Sequence, residues 1–324
     1  MSKSASSSST PRSGHASLFE PRTLARVKDL PLVAKTLAQG FLHGIHHSTQ
    51  KGTGVEFSQY RSYEPGDALS KIDWKLFARS DKYFVREAQR ESNINVWLVI
   101  DASLSMSQRS EYSDKNPQKP SGAQARQAWH KLDYARTLLA TISYLAHQQG
   151  DAVGMLALSS AKTHFLPAYG GAQHWRKLLL QLTQVSSGGV FPAVQTLQNQ
   201  LAHLQQNSLV IVVSDFYQQK TEITDFMRKL NPAKTDVVAI QLECDDELYF
   251  PYKGQIRFED PESKEQVLVS AKDVKGSYLS ARQDFNQQLS TQLKQLQIQH
   301  LRANIDLPLD ATLHQFLTVR QRKG

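Results

Sequence analysis

Cysteine is nearly absent from this sequence: Cys244 stands alone. That excludes an internal disulfide and any cysteine-based zinc site, and a lone cysteine reads as a small buried hydrophobe. Long apolar runs are missing as well. The longest, residues 96–100 and 209–213, suit buried strands and fall far short of the roughly 18–20 residues of a membrane helix. The first residues, Met1-Ser2-Lys3-Ser4 and a serine tract, lack the apolar core of a secretory signal. The expected location is therefore the cytoplasm. No Gly-rich phosphate loop, Gly-x-Ser-x-Gly elbow or His-Glu-x-x-His motif is present, so the commonest nucleotide, esterase and zinc-protease signatures are out.

What remains is an ordinary globular composition of 40% hydrophobic and 21% charged residues over 324 positions, enough for one large domain or two modest ones. The net charge of +8 invites a nucleic-acid reading until it is located. Residues 1–40 carry six Lys/Arg against two Asp/Glu, and Arg320, Arg322 and Lys323 close the chain, leaving +1 for everything between. A basic surplus confined to the ends makes a poor groove-binding face.

Residues 1–20 read as a flexible Ser-rich tail. Between 21 and 44, Leu24, Val27, Leu30, Val33, Leu37 and Phe41 recur at helical spacing, with Pro31 as a kink. Extended segments are expected at 55–63 and 83–90. Asp67 is placed to cap a helix carrying Leu69, Ile72 and Leu76. From Asn93 the character changes. Strands at 93–101, 152–158, 209–214, 236–242 and 300–307 alternate with helices at 125–148, 174–183, 193–204, 221–230, 277–297 and 310–319. That rhythm predicts an α/β fold with a doubly wound, mostly parallel sheet. The expected division is a tail at 1–20, a smaller N-terminal α+β region at 21–92 packed on the sheet, and the sheet domain at 93–324, with an excursion near 245–275.

Asp101 and Asp215 both lie just past strand ends, the edge where open α/β sheets build ligand sites. Around the first, the order Asp101-Ala102-Ser103-Leu104-Ser105 spaces a carboxylate and two hydroxyls at alternate positions, which face one way in a partly extended loop. An all-oxygen set of small side chains suits a hard cation such as Mg²⁺. The bland alternative is a polar turn with capping roles. His43, His46 and His47 superficially suggest zinc, but no cysteine or carboxylate completes a tetrahedral set.

The Asp-x-Ser-x-Ser pattern resembles the metal-ion-dependent adhesion site (MIDAS) of von Willebrand factor A domains. Upstream, Gly52-Thr53-Gly54-Val55-Glu56-Phe57, Arg61-Ser62-Tyr63, Pro65-Gly66-Asp67, Ile72-Asp73-Trp74 and Ala78-Arg79 resemble the bacterial family named domain of unknown function 58. The resemblance implies a von Willebrand factor A-like sheet, Asp101, Ser103 and Ser105 as primary ligands, and Asp215 as a direct or water-mediated one. It also implies an open coordination position taken by a partner's acidic side chain, and a MoxR-type AAA+ ATPase as partner. The adhesion site normally adds a threonine from an intervening loop. Here that stretch reads Ser186-Ser187-Gly188-Gly189-Val190, so Val190 offers no oxygen and Ser187 is the candidate substitute. Arg61, Asp67, Asp73, Trp74 and Arg79 are read as a structural signature, with a second binding surface as the alternative.

The function expected is a non-enzymatic protein-interaction module. One alternative is a metal-dependent, phosphatase-like hydrolase using Asp101 as nucleophile, for which no lysine or further acid stands at a readable position. The other is nucleic-acid binding through the basic ends.

Overall fold

The computed structural model describes residues 30, 32–38, 60–62, 84–86, 94–110, 129–204, 208–218, 221–230 and 235–321. The 1–20 tail, His43, His46, His47, Asp67, Asp73, Trp74 and Arg79 lie outside them. Arg61 is described as backbone only, in strand β1 (Tyr60–Ser62), which pairs antiparallel with β2 (Phe84–Arg86).

The expected sheet is present. It is built from β3 (Asn95–Asp101), β4 (Ala152–Leu158), β5 (His164–Tyr169), β6 (Ser208–Ser214), β7 (Thr235–Glu243) and β10 (Gln299–Asn304) in the order β10-β7-β6-β3-β4-β5. Every pairing is parallel except β4 with the edge strand β5. The chain starts the sheet at β3 and then winds outward both ways, so the order reverses between β3 and β6. In open α/β sheets the C-terminal edge at such a reversal is where ligand sites form.

Alternation along β3 shows why both faces are covered. Val96, Leu98 and Ile100 join one core with the helices Lys131–Gln148, Ala172–Gln184 and Leu309–Gln321. Trp97 and Val99 join another, with the short helices Gln198–Leu204 and Glu222–Lys229 and with Leu289 and Leu293 of the long helix Ala271–Gln295. A strand whose successive side chains point to opposite faces needs both to be apolar when both are buried. The helical residues 32–38 bury Val33, Ala34 and Leu37 in the first core.

Two elements differ from expectation. Strand β5 was not anticipated; it holds Pro167, which a strand tolerates at an edge, where its missing N–H costs no ladder bond. The long helix starts at Ala271 and not at Ser277. Gly276, which reads as a breaker, sits in open space within it, at a propensity cost of about 1 kcal/mol that the helix absorbs. The excursion is the helix Asp245–Tyr249 followed by the hairpin β8 (Gln255–Glu259) and β9 (Gln266–Ser270). Cys244 is buried. Among the described residues no helix is long and apolar enough to cross a membrane.

Gly154 shows how tightly the central strands are filled. A Cβ there would stand 2.6 Å from the Trp97 ring and 2.9 Å from the Ala168 backbone nitrogen, at the irregularity where β4 shifts register against β5. Gly154→Ala should lower unfolding free energy by about 1–3 kcal/mol, the usual cost of overpacking. Urea denaturation checks it, and an unchanged midpoint would mean the indole has room to shift.

Candidate functional site

Strand β3 ends in Asp101, whose side chain is fully buried. Its Oδ1 accepts the Ser103 backbone N–H at 2.9 Å, a local bond that turns the chain and leads into the 3₁₀ turn Leu104–Ser107. Its Oδ2 accepts the Ser214 hydroxyl at 2.6 Å from the neighbouring strand end. Ser103 Oγ lies 3.0 Å from Ser105 Oγ, and Ser105 Oγ donates to Asp215 Oδ1 at 3.2 Å. Asp101, Ser103, Ser105 and Asp215 are thus brought together across the β3–β6 switch point. Phe216 holds φ 61° just after Asp215, its N–H bonded to Ser214 Oγ at 2.8 Å. A bulky residue in the left-handed region is strained.

The loop expected to carry a threonine docks on the same segment. The Gly188 N–H donates to Ala102 O at 2.8 Å, and the Leu104 N–H to Gly189 O at 2.9 Å. Gly189 is required there: its φ is +63°, and a Cβ would fall 2.2 Å from Ser160 Oγ. Val190 makes backbone contacts with Ser160, and its side chain brings no oxygen. Ser187, the candidate substitute, is half-buried in this loop.

Burial and Asp215 together push the Asp101 carboxyl up to about 6; burial is the larger cause, because an ionised carboxylate leaves water at high cost. Asp215 has a fixed counter-ion. Lys131, the first residue of its helix and fully buried, places Nζ 3.1 Å from Asp215 Oδ2, 2.7 Å from Glu247 Oε1 and 3.1 Å from Gln108 Oε1. All three ammonium donors are occupied. Burial acts to lower the Lys131 pKa, and Asp215 and Glu247 more than reverse it, so the ammonium stays charged. Burial pushes Glu247 up while Lys131 opposes it. From Glu247 the ladder continues through Arg282 and Glu243 to Arg302, with contacts of 3.3, 3.0 and 2.7 Å. It ends at a cavity of about 590 Å³ lined by Arg282, Asn286 and Arg302.

Sequence reasoning found the four oxygen-bearing residues and missed Lys131, Ser214, Glu243 and Glu247. Lys131 opens an apolar helix, where a lysine reads as a solvated first-turn residue. Ser214 immediately precedes a recognised acid, Asp215, and carried a signal that went unused.

The donor set is hard oxygen of the kind Mg²⁺ accepts, and it fits, with one restraint: Lys131 already neutralises Asp215 and competes with any cation there. Among the described residues no group of three His, Cys, Asp or Glu stands together to hold an ion. Any cation therefore depends on the two serines and on water.

A doubly wound sheet with an antiparallel edge strand and an Asp-x-Ser-x-Ser loop at the switch point is the von Willebrand factor A-like architecture that the sequence resembles. The sequence profile of the family described as "protein of unknown function DUF58" matches residues 59–294, and the chain belongs to that family. Uncharacterized proteins of Mycobacterium bovis and Mycobacterium tuberculosis are 25% identical over 252 residues, covering 75% of this chain and 72% of theirs. Among solved structures, the conserved hypothetical protein BatB from Bacteroides thetaiotaomicron aligns with a TM-score of 0.40 at 10% identity, covering 71% of this chain and 99% of that one. The SpRpn10 VWA domain aligns at 0.38 and 9%, covering 68% and 94%.

Proposed function

We propose that this chain is a non-enzymatic, cytoplasmic interaction module. Its partial adhesion site holds Mg²⁺ through Asp101, Ser103 and Ser105, with Asp215 direct or through water. The observation that carries this reading is the continuous contact from Asp101 through Ser103 and Ser105 to Asp215. Once bound, the cation would offer an open coordination position to an acidic side chain of another protein. The family resemblance points to a MoxR-like AAA+ ATPase as partner, in the assembly or maturation of other proteins. The ion-pair ladder supports a rigid platform: buried charges that are fully partnered hold one geometry.

The hydrolase alternative gains one observation, since a lysine does stand at the site. Lys131, however, is bonded to Asp215 and not to Asp101. Turnover of a generic phosphate ester with Mg²⁺, lost in Asp101→Ala, would favour that alternative. The nucleic-acid alternative rests on charges at the chain ends, and no described feature adds to it.

Asp101→Ala and Ser103→Ala should weaken capture of a co-expressed MoxR-like ATPase by roughly tenfold or more, equivalent to at least about 1.4 kcal/mol, while circular dichroism stays native. If both variants retain the ATPase as well as wild type does, in EDTA and in Mg²⁺ alike, the metal-mediated contact is wrong.

A further inference from the structure

The cavity of about 590 Å³ at the end of the ion-pair ladder is walled by the long helix Ala271–Gln295 and by Arg302 of the edge strand β10. Arg282, Gln283, Asn286, Gln287 and Ser290 line it from the helix, at spacings of three and four that form one stripe. Its charged lining is of one sign: Arg282 and Arg302 line it, and no acid does. The acids that hold the two guanidiniums are buried outside the lining, and both are shared. Glu243 accepts from Arg302 Nε and Nη2 at 2.7 and 3.0 Å and from Arg282 Nη2 at 3.0 Å. Glu247 accepts from Arg282 Nη2 at 3.3 Å and is also paired with Lys131. Donors are left over. Arg282 is 7% exposed, yet its Nε and Nη1 have no hydrogen-bond partner, so three of the five guanidinium N–H groups are unmet. A buried donor without an acceptor is costly. Arg302 grips Glu243 with one edge of its fork, and its Nη1 stands outside that pair on a side chain that is 48% exposed.

We propose that this cavity binds a small oxyanion-bearing molecule, whose phosphoryl or carboxylate group pairs with Arg302 and Arg282 while its remaining polar part lies along the Gln283 and Gln287 amides and the Ser290 hydroxyl. Guanidinium groups present planar forks that match such anions. Arg302 makes the first contact, and Arg282 adds a cation whose own acids are shared with Arg302 and Lys131. The volume falls within the range of small-molecule sites, about 300–1,000 Å³, and a lining of amides and a hydroxyl suits a polar ligand over an apolar one. The site does not depend on a cation at the Asp101 loop.

Titration calorimetry of the full chain at constant ionic strength tests this with inorganic phosphate, glucose 6-phosphate and citrate as probes, on wild type, Arg302→Gln, Gln287→Glu and Gln287→Lys. Gln287 is exposed, so its two variants keep the fold and change only the charge of the wall. Wild type should bind at least one probe, one molecule per chain. Binding of the phosphates alone identifies a phosphoryl ligand, binding of citrate alone a carboxylate, and binding of all three a site open to either oxyanion. Arg302→Gln and Gln287→Glu should each weaken binding roughly tenfold, a typical loss for one charged contact. Gln287→Lys should tighten it, a reversal that purely structural arginines would not produce. If wild type binds none of the probes, the site is refuted. It is equally refuted if the four proteins bind alike, which would place the anions on the basic ends of the chain.

Discussion

Replacing Lys131 with methionine should cost about 3–5 kcal/mol of stability, the usual effect of removing one partner from a buried ion pair. Methionine nearly matches the lysine stem in volume, so little of the loss would come from packing. The cause is electrostatic: Asp215 and Glu247 would remain almost fully buried with their shared ammonium gone, and the Gln108 carbonyl would lose a donor. The same substitution should move cation binding the other way. With its fixed counter-ion removed, Asp215 becomes a better ligand, and Mg²⁺ should raise the melting temperature of Lys131→Met more than that of wild type, by linkage. Thermal and urea unfolding in EDTA and in Mg²⁺ give both readings. A variant as stable as wild type would show that Lys131 is no clamp; a destabilised variant indifferent to Mg²⁺ would show that the site does not take the ion.

The opposite fates of Asp101 and Lys131 in sequence reading have a physical origin. Asp101 follows a β-branched apolar run, and an acid directly past a buried parallel strand is rare enough to announce itself. Both sheet-edge acids, the two serines and the order of strands and helices were legible because period-2 and period-3.6 patterns are local. Lys131 became a site residue only when the helix it opens was laid against the β6 edge, 84 positions away in sequence. Nothing within its own segment encodes that. The edge strand β5 was hidden by Pro167, a residue that argues against a central strand and is silent about an edge.

Asp101 should also write a pH signature into stability. Its carboxyl is raised from 3.8 to about 6 by burial and by Asp215, so between those values the native state holds a proton that the unfolded chain has released. Stability falls with rising pH wherever the native state binds more protons. The Asp101 contribution is thus fully present below about 3.8 and lost by about 6. At about 1.4 kcal/mol per unit the loss is on the order of 3 kcal/mol. Paired carboxylates elsewhere pull the other way, so the measurement is a difference: unfolding free energy of wild type minus Asp101→Asn, followed from pH 4 to 7 in EDTA. That difference should drop by about 3 kcal/mol across the window, because asparagine does not titrate. Mg²⁺ should flatten the drop, since a cation stabilises the ionised carboxylate that burial opposes. Parallel curves for the two proteins in EDTA would mean that Asp101 carries its charge at no cost in the native state. The two sheet-edge acids would then need no cation between them.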